Sequence, residues 1–132
     1  MAENGILKVG RATDFQAHQI EHQLGAFTDC NHGQGLAVIL PTYYRHILKD
    51  AEEKLKRFSK AVFEKDTAEG GIQALYDFIK ECGLPTRMGE LKSKVEITPE
   101  VLRKVADSCN IIKCNPRELD REEVYEILME CL

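Results

Sequence analysis

Apolar residues recur at helical spacing along most of this 132-residue chain, and this periodicity is the strongest constraint on its fold. Side chains three and four residues apart share one face of a helix. Between residues 43 and 62 this spacing predicts one helix or two helices in line. No segment shows the convincing alternation of apolar and polar residues that a strand requires. The sequence therefore predicts an all-α, helical bundle-like domain. The apolar positions of this longest run are Tyr43, Tyr44, Ile47, Leu48, Ala51, Leu55, Phe58, Ala61 and Val62.

Start and stop signals indicate where the other helices lie. Residues 66–69 open a helix that ends at Gly83, a natural helix C-terminus with a proline shortly after it. Residues 98–100 combine a capping hydroxyl with a first-turn proline, which predicts a helix to about Cys109. Residues 120–123 resemble a capping box and open a final helix. The expected buried stripe of the first of these helices is Ile72, Leu75, Phe78 and Ile79.

The sequence pattern is less simple in two segments. The run Leu36–Leu40 is continuously apolar and suits a strand or a buried helix, which periodicity alone does not separate. Pro41 then kinks or restarts the helix. From Ala12 onward two apolar stripes alternate on one helix, which predicts a helix packed on two sides. One stripe is Phe15, His18 and His22, and the other is Ile20, Leu24 and Phe27.

Composition excludes several classes of protein. A net charge of −4 with mixed signs gives no basic face for a nucleic acid. No apolar run approaches membrane-spanning length, and no leader precedes the chain, which predicts a cytoplasmic protein. Five scattered cysteines, an odd number, indicate reduced thiols in a reducing compartment. Residues 1–10 read as a tail or as the end of an upstream connection, and residues 11–132 as one domain.

Three of the four histidines lie within one stretch, from His18 to His32. His18 and His22 are four residues apart, so on a helix they lie on one face. His32 follows a glycine-containing break, at the expected start of the next helix. Neutral imidazole is the commonest side-chain metal ligand, and such a set can converge on one ion. The spacing equally suits half-buried helix residues and a turn residue. His46 receives no role.

Gly33 and Gly35 follow His32 at the start of this helix. Small residues at a helix N-terminus allow a ligand or another backbone to approach closely. Outside a complete phosphate-loop pattern, tight packing of helices is the favoured interpretation.

The order of these residues resembles one enzyme family. The run from His18 to Ala26, followed by the run from Asn31 to Pro41, is similar to the iron-containing alcohol dehydrogenases, closest to the butanol-dehydrogenase-like branch. Residues 83–90 and the turn at 115–119 resemble the connection and the C-terminal end of the same domain. The resemblance runs from about Arg11 to the last residue.

The resemblance implies a two-domain enzyme, with an N-terminal half that binds NAD(P) and a helical C-terminal half that completes a metal site. By motif position, His18 and His32 correspond to two of four ligands of a divalent ion, Fe²⁺ or Zn²⁺. His22 corresponds to a histidine that assists proton movement. The implied reaction interconverts a primary alcohol and an aldehyde by hydride transfer, with the ion as Lewis acid, in an enzyme that forms a homo-oligomer.

The chain also departs from the family pattern. Compared with the family, its first residue falls within the helical half, and it lacks the upstream aspartate and histidine ligands. Asp14 and Glu21 lie on the wrong side of the motif to replace them. These departures predict a fragment, inactive alone, whose partner is a nucleotide-binding half. Two alternatives remain open: a self-sufficient zinc hydrolase that uses His18, His22 and His32, and a non-catalytic helical interaction module.

Overall fold

The structure, a computed structural model, describes residues 15–110 and 116–132. Within those ranges it contains six α-helices, one short 3₁₀ helix and no strand, which confirms the all-α prediction. The expected domain start near residue 11 and the helix start at Ala12 lie outside the described ranges. The helices are α1 (Gln16–Thr28), α2 (His32–His46), α3 (Leu48–Phe63), α4 (Ala68–Glu81), the 3₁₀ helix Met88–Glu90, α5 (Pro99–Ser108) and α6 (Arg121–Glu130).

The second helix holds the domain together. It packs against α1, α3, α4 and α6, while α1 also packs against α5, and α5 against α6. The main core lies among α1, α2, α5 and α6, and its fully enclosed side chains include Leu24, Ile39, Leu102 and Ile127. A smaller apolar cluster lies between α3 and α4. As expected, α1 is packed on two sides, by α2 and α5.

Four helices begin at a side-chain cap, as the sequence pattern indicates. Asn31, Thr67, Thr98 and Asp120 each accept a hydrogen bond from a backbone N–H in the first turn of α2, α4, α5 and α6 respectively. Asp120 and Glu123 form a complete capping box. Each cap satisfies a donor that the helix itself cannot pair. Local sequence therefore determines where these helices begin.

The prediction of a kink or restart at Pro41 was wrong about the restart. Pro41 lies inside α2, which continues to His46, and the next helix begins at Leu48. The apolar run Leu36–Leu40 is helical. Proline removes one backbone N–H from a helix, and burial of its neighbours on α2 outweighs that loss. The long run of helical spacing thus spans two helices, the end of α2 and all of α3.

Two residues expected in the core are exposed. Phe78 is 54% exposed and Val62 is 57% exposed. Both lie on the α3–α4 pair, which packs against the rest of the described domain mainly through α2. Helical spacing identifies an apolar stripe but does not show how far a neighbouring helix extends over it. Phe27 on α1 is likewise 39% exposed.

The helices α3 and α4 meet most closely at Gly71. A Cβ atom built on Gly71 would lie 1.8 Å from Oγ of Ser59 and 2.7 Å from its Cα. Ser59 is fully buried, and its hydroxyl donates to the carbonyl of Leu55 at 2.7 Å. Because a backbone atom is among the atoms that clash, rotation of the serine side chain does not make room. Glycine is therefore required at this crossing.

Replacement of Gly71 by alanine should separate α3 from α4. We expect Gly71→Ala to lower the free energy of unfolding by about 1–3 kcal/mol or more, the usual cost of overpacking. Urea unfolding followed by circular dichroism measures this change. Gly89→Ala is the control, because a Cβ there meets no atom within 4 Å. Equal stability of the two variants would contradict the close crossing.

Two buried cysteines lie in the main core. Burial raises the pKa of the Cys109 thiol, and likewise that of the Cys131 thiol, to about 11. For Cys131 a hydrogen bond with Thr42 opposes that rise. The four cysteines within the described ranges are free thiols, which agrees with the reduced state expected from the sequence. Cys114 lies outside those ranges.

Because the pKa of Cys131 is raised, the free energy of unfolding should fall as the pH becomes alkaline. Its pKa rises from 9.0 in the unfolded chain to about 11 in the folded protein, so the unfolded state loses its proton first. The stabilising contribution is complete below about pH 9 and is lost as pH rises through about 11. We expect unfolding free energy to fall less steeply over this interval in Cys131→Ala than in Cys82→Ala, which removes an exposed thiol. Equal slopes would contradict the assignment.

Candidate metal centre

Three imidazoles converge where α1 meets the start of α2. The ring centroids of His18 and His22 lie 6.0 Å apart, as expected for neighbours one turn apart on a helix. The ring of His32 lies 5.6 Å from that of His18 and 5.1 Å from that of His22. The structure thus brings together all three histidines that the sequence singles out.

The turn between the two helices sets this arrangement. Asp29 ends α1 in the left-handed region, with φ 54°, and its N–H donates to the carbonyl of Gly25 at 2.8 Å. Aspartate tolerates this conformation better than most residues. Asn31 then caps α2, accepting from the N–H of Gln34 at 3.2 Å. Only three residues separate the helices, so His32 returns directly beside the histidines of α1.

A buried carboxylate lies under the histidines. Glu21 is 1% exposed, and its Oε2 contacts Nδ1 of His32. Its position in the sequence suggested a residue on the wrong side of the motif, yet the structure places it at the site. The available signal was helical spacing, because Glu21 lies three residues after His18 and four before Gly25 on one face of α1.

These side chains fit a divalent transition-metal ion. One donor atom from each of Glu21, His22 and His32 lies within 4.8 Å of the others. Zinc bonds of about 2.0–2.2 Å allow two donors on one ion to be at most about 4.4 Å apart, so small side-chain rotations suffice. Imidazole nitrogen with carboxylate oxygen suits zinc or iron. His18 lies outside this trio but within ring-contact distance of both other histidines.

The cluster is open to the surface on one side. His22 is exposed, and the side chain of His32 is 48% exposed, whereas that of Glu21 is 2% exposed. The carboxylate thus lies at the base and the imidazoles at the mouth. Such a site can take further ligands and a substrate from outside the described residues. The sequence does not show how deeply each side chain is buried. In the structure this burial distinguishes Glu21, at the base of the site, from His22 and His32, at its rim.

The fourth histidine, His46, lies in a separate cluster of polar side chains. Nε2 of His46 lies 3.2 Å from Oε1 of Glu123 on α6, and Arg117 contacts the same carboxylate. Burial raises the pKa of Glu123, but hydrogen bonds with the backbone of Asp120, with His46 and with Arg117 outweigh it and lower the pKa overall. This group connects α2 to α6. The sequence analysis gave His46 no role, whereas the structure shows it in contact with Glu123.

No helix within the described ranges is both long enough and apolar enough to cross a bilayer.

Comparison with known proteins assigns the domain. Residues 3–132 match the family model described as the Fe-containing alcohol dehydrogenase family, C-terminal. The chain is 30% identical to the probable NADH-dependent butanol dehydrogenase 1 of Bacillus subtilis, across 100% of the chain and 36% of that protein. It is 35% identical to NADH-dependent butanol dehydrogenase B of Clostridium acetobutylicum, across 96% of the chain and 35% of that protein.

A solved structure shows the same fold. The NADH-dependent butanol dehydrogenase A of Thermotoga maritima superimposes with a TM-score of 0.85 at 28% identity. The match covers 98% of the present chain and 36% of that protein. The chain therefore spans about a third of the length of the relatives it matches.

The cap at Asn31 determines where α2 begins and therefore where His32 lies. We expect Asn31→Ala to lower the free energy of unfolding by about 1 kcal/mol, because the N–H of Gln34 loses its partner. Asn31→Asp, which keeps a capping oxygen, should stay close to the parent chain. Thermal unfolding of the three proteins measures the difference. An aspartate variant as unstable as the alanine variant would contradict a capping role.

Proposed function

The chain belongs to the Fe-containing alcohol dehydrogenase family as its C-terminal domain, and we propose that it supplies part of that family's metal site. In this proposal His18 and His32 hold a divalent ion, Fe²⁺ or Zn²⁺, and His22 handles a proton beside it. The convergence of the three imidazole rings within 6.0 Å of one another is the observation that carries the proposal.

The proposed reaction interconverts a primary alcohol and an aldehyde. The names of the relatives in Bacillus and Clostridium, NADH-dependent butanol dehydrogenases, support an alcohol and a nicotinamide cofactor. A divalent ion at the site would act as a Lewis acid on the substrate oxygen. The chain's own contribution is to hold that ion with His18 and His32, and to move the hydroxyl proton toward solvent through the exposed imidazole of His22.

The chain supplies only part of such a site. Family resemblance implies four ligands, and two of them correspond to residues described here. We therefore propose that it acts together with a nucleotide-binding half that supplies the remaining ligands and binds NAD(P), in a homo-oligomeric enzyme. We expect the 132 residues alone to show no alcohol oxidation, because they match only about a third of the NADH-dependent relatives, at the family's C-terminal domain.

One observation favours a second candidate. A donor atom of His22 lies within 4.8 Å of donor atoms of Glu21 and His32, which is close enough for His22 to share an ion with them. A hydrolase with zinc bound by all three histidines and an open position for water would use His22 as a ligand. The two candidates therefore differ in what His22 does, which metal affinity measures directly.

Titration of the chain with Zn²⁺ by calorimetry distinguishes the roles of the histidines. We expect His18→Ala and His32→Ala each to weaken binding by more than about 100-fold, since even a residue that only orients a ligand is worth 10–100-fold. His22→Ala should change the affinity by less than about threefold, because in the proposal its ring does not coordinate the ion.

His46→Ala is the matched control, since this histidine pairs with Glu123 outside the cluster. Circular dichroism confirms that each variant is folded. Loss of binding in His22→Ala equal to that in His18→Ala would favour the hydrolase instead. Zinc affinity that no histidine variant changes would contradict both and favour a non-catalytic interaction module.

A further inference from the structure

We propose that Glu21 is the positioning residue of the metal site: it holds His32 in the orientation and tautomer that present Nε2 to the ion. This inference rests on the proposed function, because it assigns a task to a neighbour of a proposed ligand. Neither the family resemblance nor the sequence pattern gives Glu21 this role.

The contact between the two side chains fixes which nitrogen is available. Oε2 of Glu21 contacts Nδ1 of His32. An ionised carboxylate only accepts hydrogen bonds, so a neutral imidazole in this contact carries its proton on Nδ1. Nε2 is then the unprotonated nitrogen, and an unprotonated nitrogen is the one that binds a metal ion.

The second carboxylate oxygen lies close to the backbone of α2 at Gly35. A Cβ built on Gly35 would lie 2.7 Å from Oε1 of Glu21 and 2.9 Å from its Cγ. On the α1 side, a Cβ on Gly25 would lie 3.5 Å from the same oxygen. Glu21 therefore occupies a slot that exists because residue 35 has no side chain. A side chain enclosed by two helices keeps one rotamer, and so does the imidazole that it contacts.

Burial strengthens the effect of the carboxylate. The side chain of Glu21 is 2% exposed, and that of His32 is 48% exposed. A carboxylate shielded from water interacts more strongly with a neighbouring dipole or charge than a solvated one. The negative charge behind His32 makes its outer nitrogen a stronger donor. This is the arrangement of carboxylate, histidine and metal that proteins commonly use to orient a ligand.

Direct coordination is the alternative to a positioning role, since a donor oxygen of Glu21 lies within 4.8 Å of donor atoms of His22 and His32. Both of its oxygens have neighbours, one at His32 and the other at the first turn of α2. To coordinate an ion through the oxygen that contacts Nδ1 of His32, the carboxylate would have to give up that contact. As a positioning residue, Glu21 needs no movement.

The tautomer of His32 tests the inference without any metal. Long-range ¹H–¹⁵N spectra of the full 132-residue chain report which imidazole nitrogen carries the proton. We expect His32 to be protonated at Nδ1 in the parent chain. Glu21→Ala should shift the population toward the Nε2–H form. Gly33→Ala should not, since a Cβ at Gly33 meets only Asn31, at an ordinary 3.5 Å.

Zinc affinity supplies the second measurement. We expect binding to weaken by about 10–100-fold in Glu21→Ala, the usual range for a residue that orients a ligand. Glu21→Gln keeps an accepting oxygen in the same slot, so it should recover part of that loss. Gly35→Ala should weaken binding although it leaves every polar group in place, because the new Cβ displaces the carboxylate. Gly33→Ala, a glycine substitution in the same turn, should bind as the parent chain does.

The outcomes separate the two proposals. An Nε2–H tautomer of His32 in the folded parent chain would overturn the positioning role, whatever the metal affinity. Equal losses in Glu21→Gln and Glu21→Ala would also overturn it, in favour of direct coordination. If the tautomer responds as expected but the parent chain binds no zinc through His18 or His32, the proposed function fails while the contact with His32 stands. Circular dichroism of each variant excludes misfolding as the cause.

Discussion

The close approach of α1 to the first turn of α2 is the constraint on which the candidate site depends. Glu21 projects from α1 into space left open by Gly35, and its carboxylate meets His32. A wider gap would separate His32 from the two histidines of α1. A buried carboxylate without a partner would be costly, so its contact with His32 and the packing of the helices stabilise each other.

The rest of the domain holds these two helices in place. α2 packs against four other helices, and α1 packs against α5 as well as α2. A buried hydrogen-bond chain reinforces the pair: the amide of Gln16 accepts from the hydroxyl of Tyr43 at 2.9 Å and donates to the carbonyl of Arg117 at 2.7 Å. This chain of hydrogen bonds joins the first residue of α1 to the C-terminal part of α2 and to the segment before α6.

Local sequence predicted the helices well and their environment less well. Caps at Asn31, Thr98 and Asp120 are short-range hydrogen bonds, so a few neighbouring residues suffice to place them. Exposure of Phe78 depends on which helix covers it, and this is a property of the whole fold. The continuation of α2 through Pro41 was likewise missed, because burial along the helix outweighs the local preference.

The candidate site shows the same division. The spacing of His18 and His22 and the short break before His32 allowed their rings to converge, but the same spacing suited half-buried helix residues and a turn residue equally well. Glu21 was missed because an acidic residue on a helix is usually solvated, and only its distance from Gly35 shows that it is enclosed. The tasks of the individual histidines need an ion to distinguish them, because all three rings lie at similar distances from one another.

Anomalous X-ray diffraction at the zinc edge, from crystals of the chain grown with Zn²⁺, shows which side chains hold the ion. We expect one peak about 2.1 Å from a ring nitrogen of His18 and from Nε2 of His32, with Glu21 still on Nδ1 of His32 and His22 outside bonding distance. An ion bound by His22 without His18, or by the carboxylate of Glu21, would contradict this expectation.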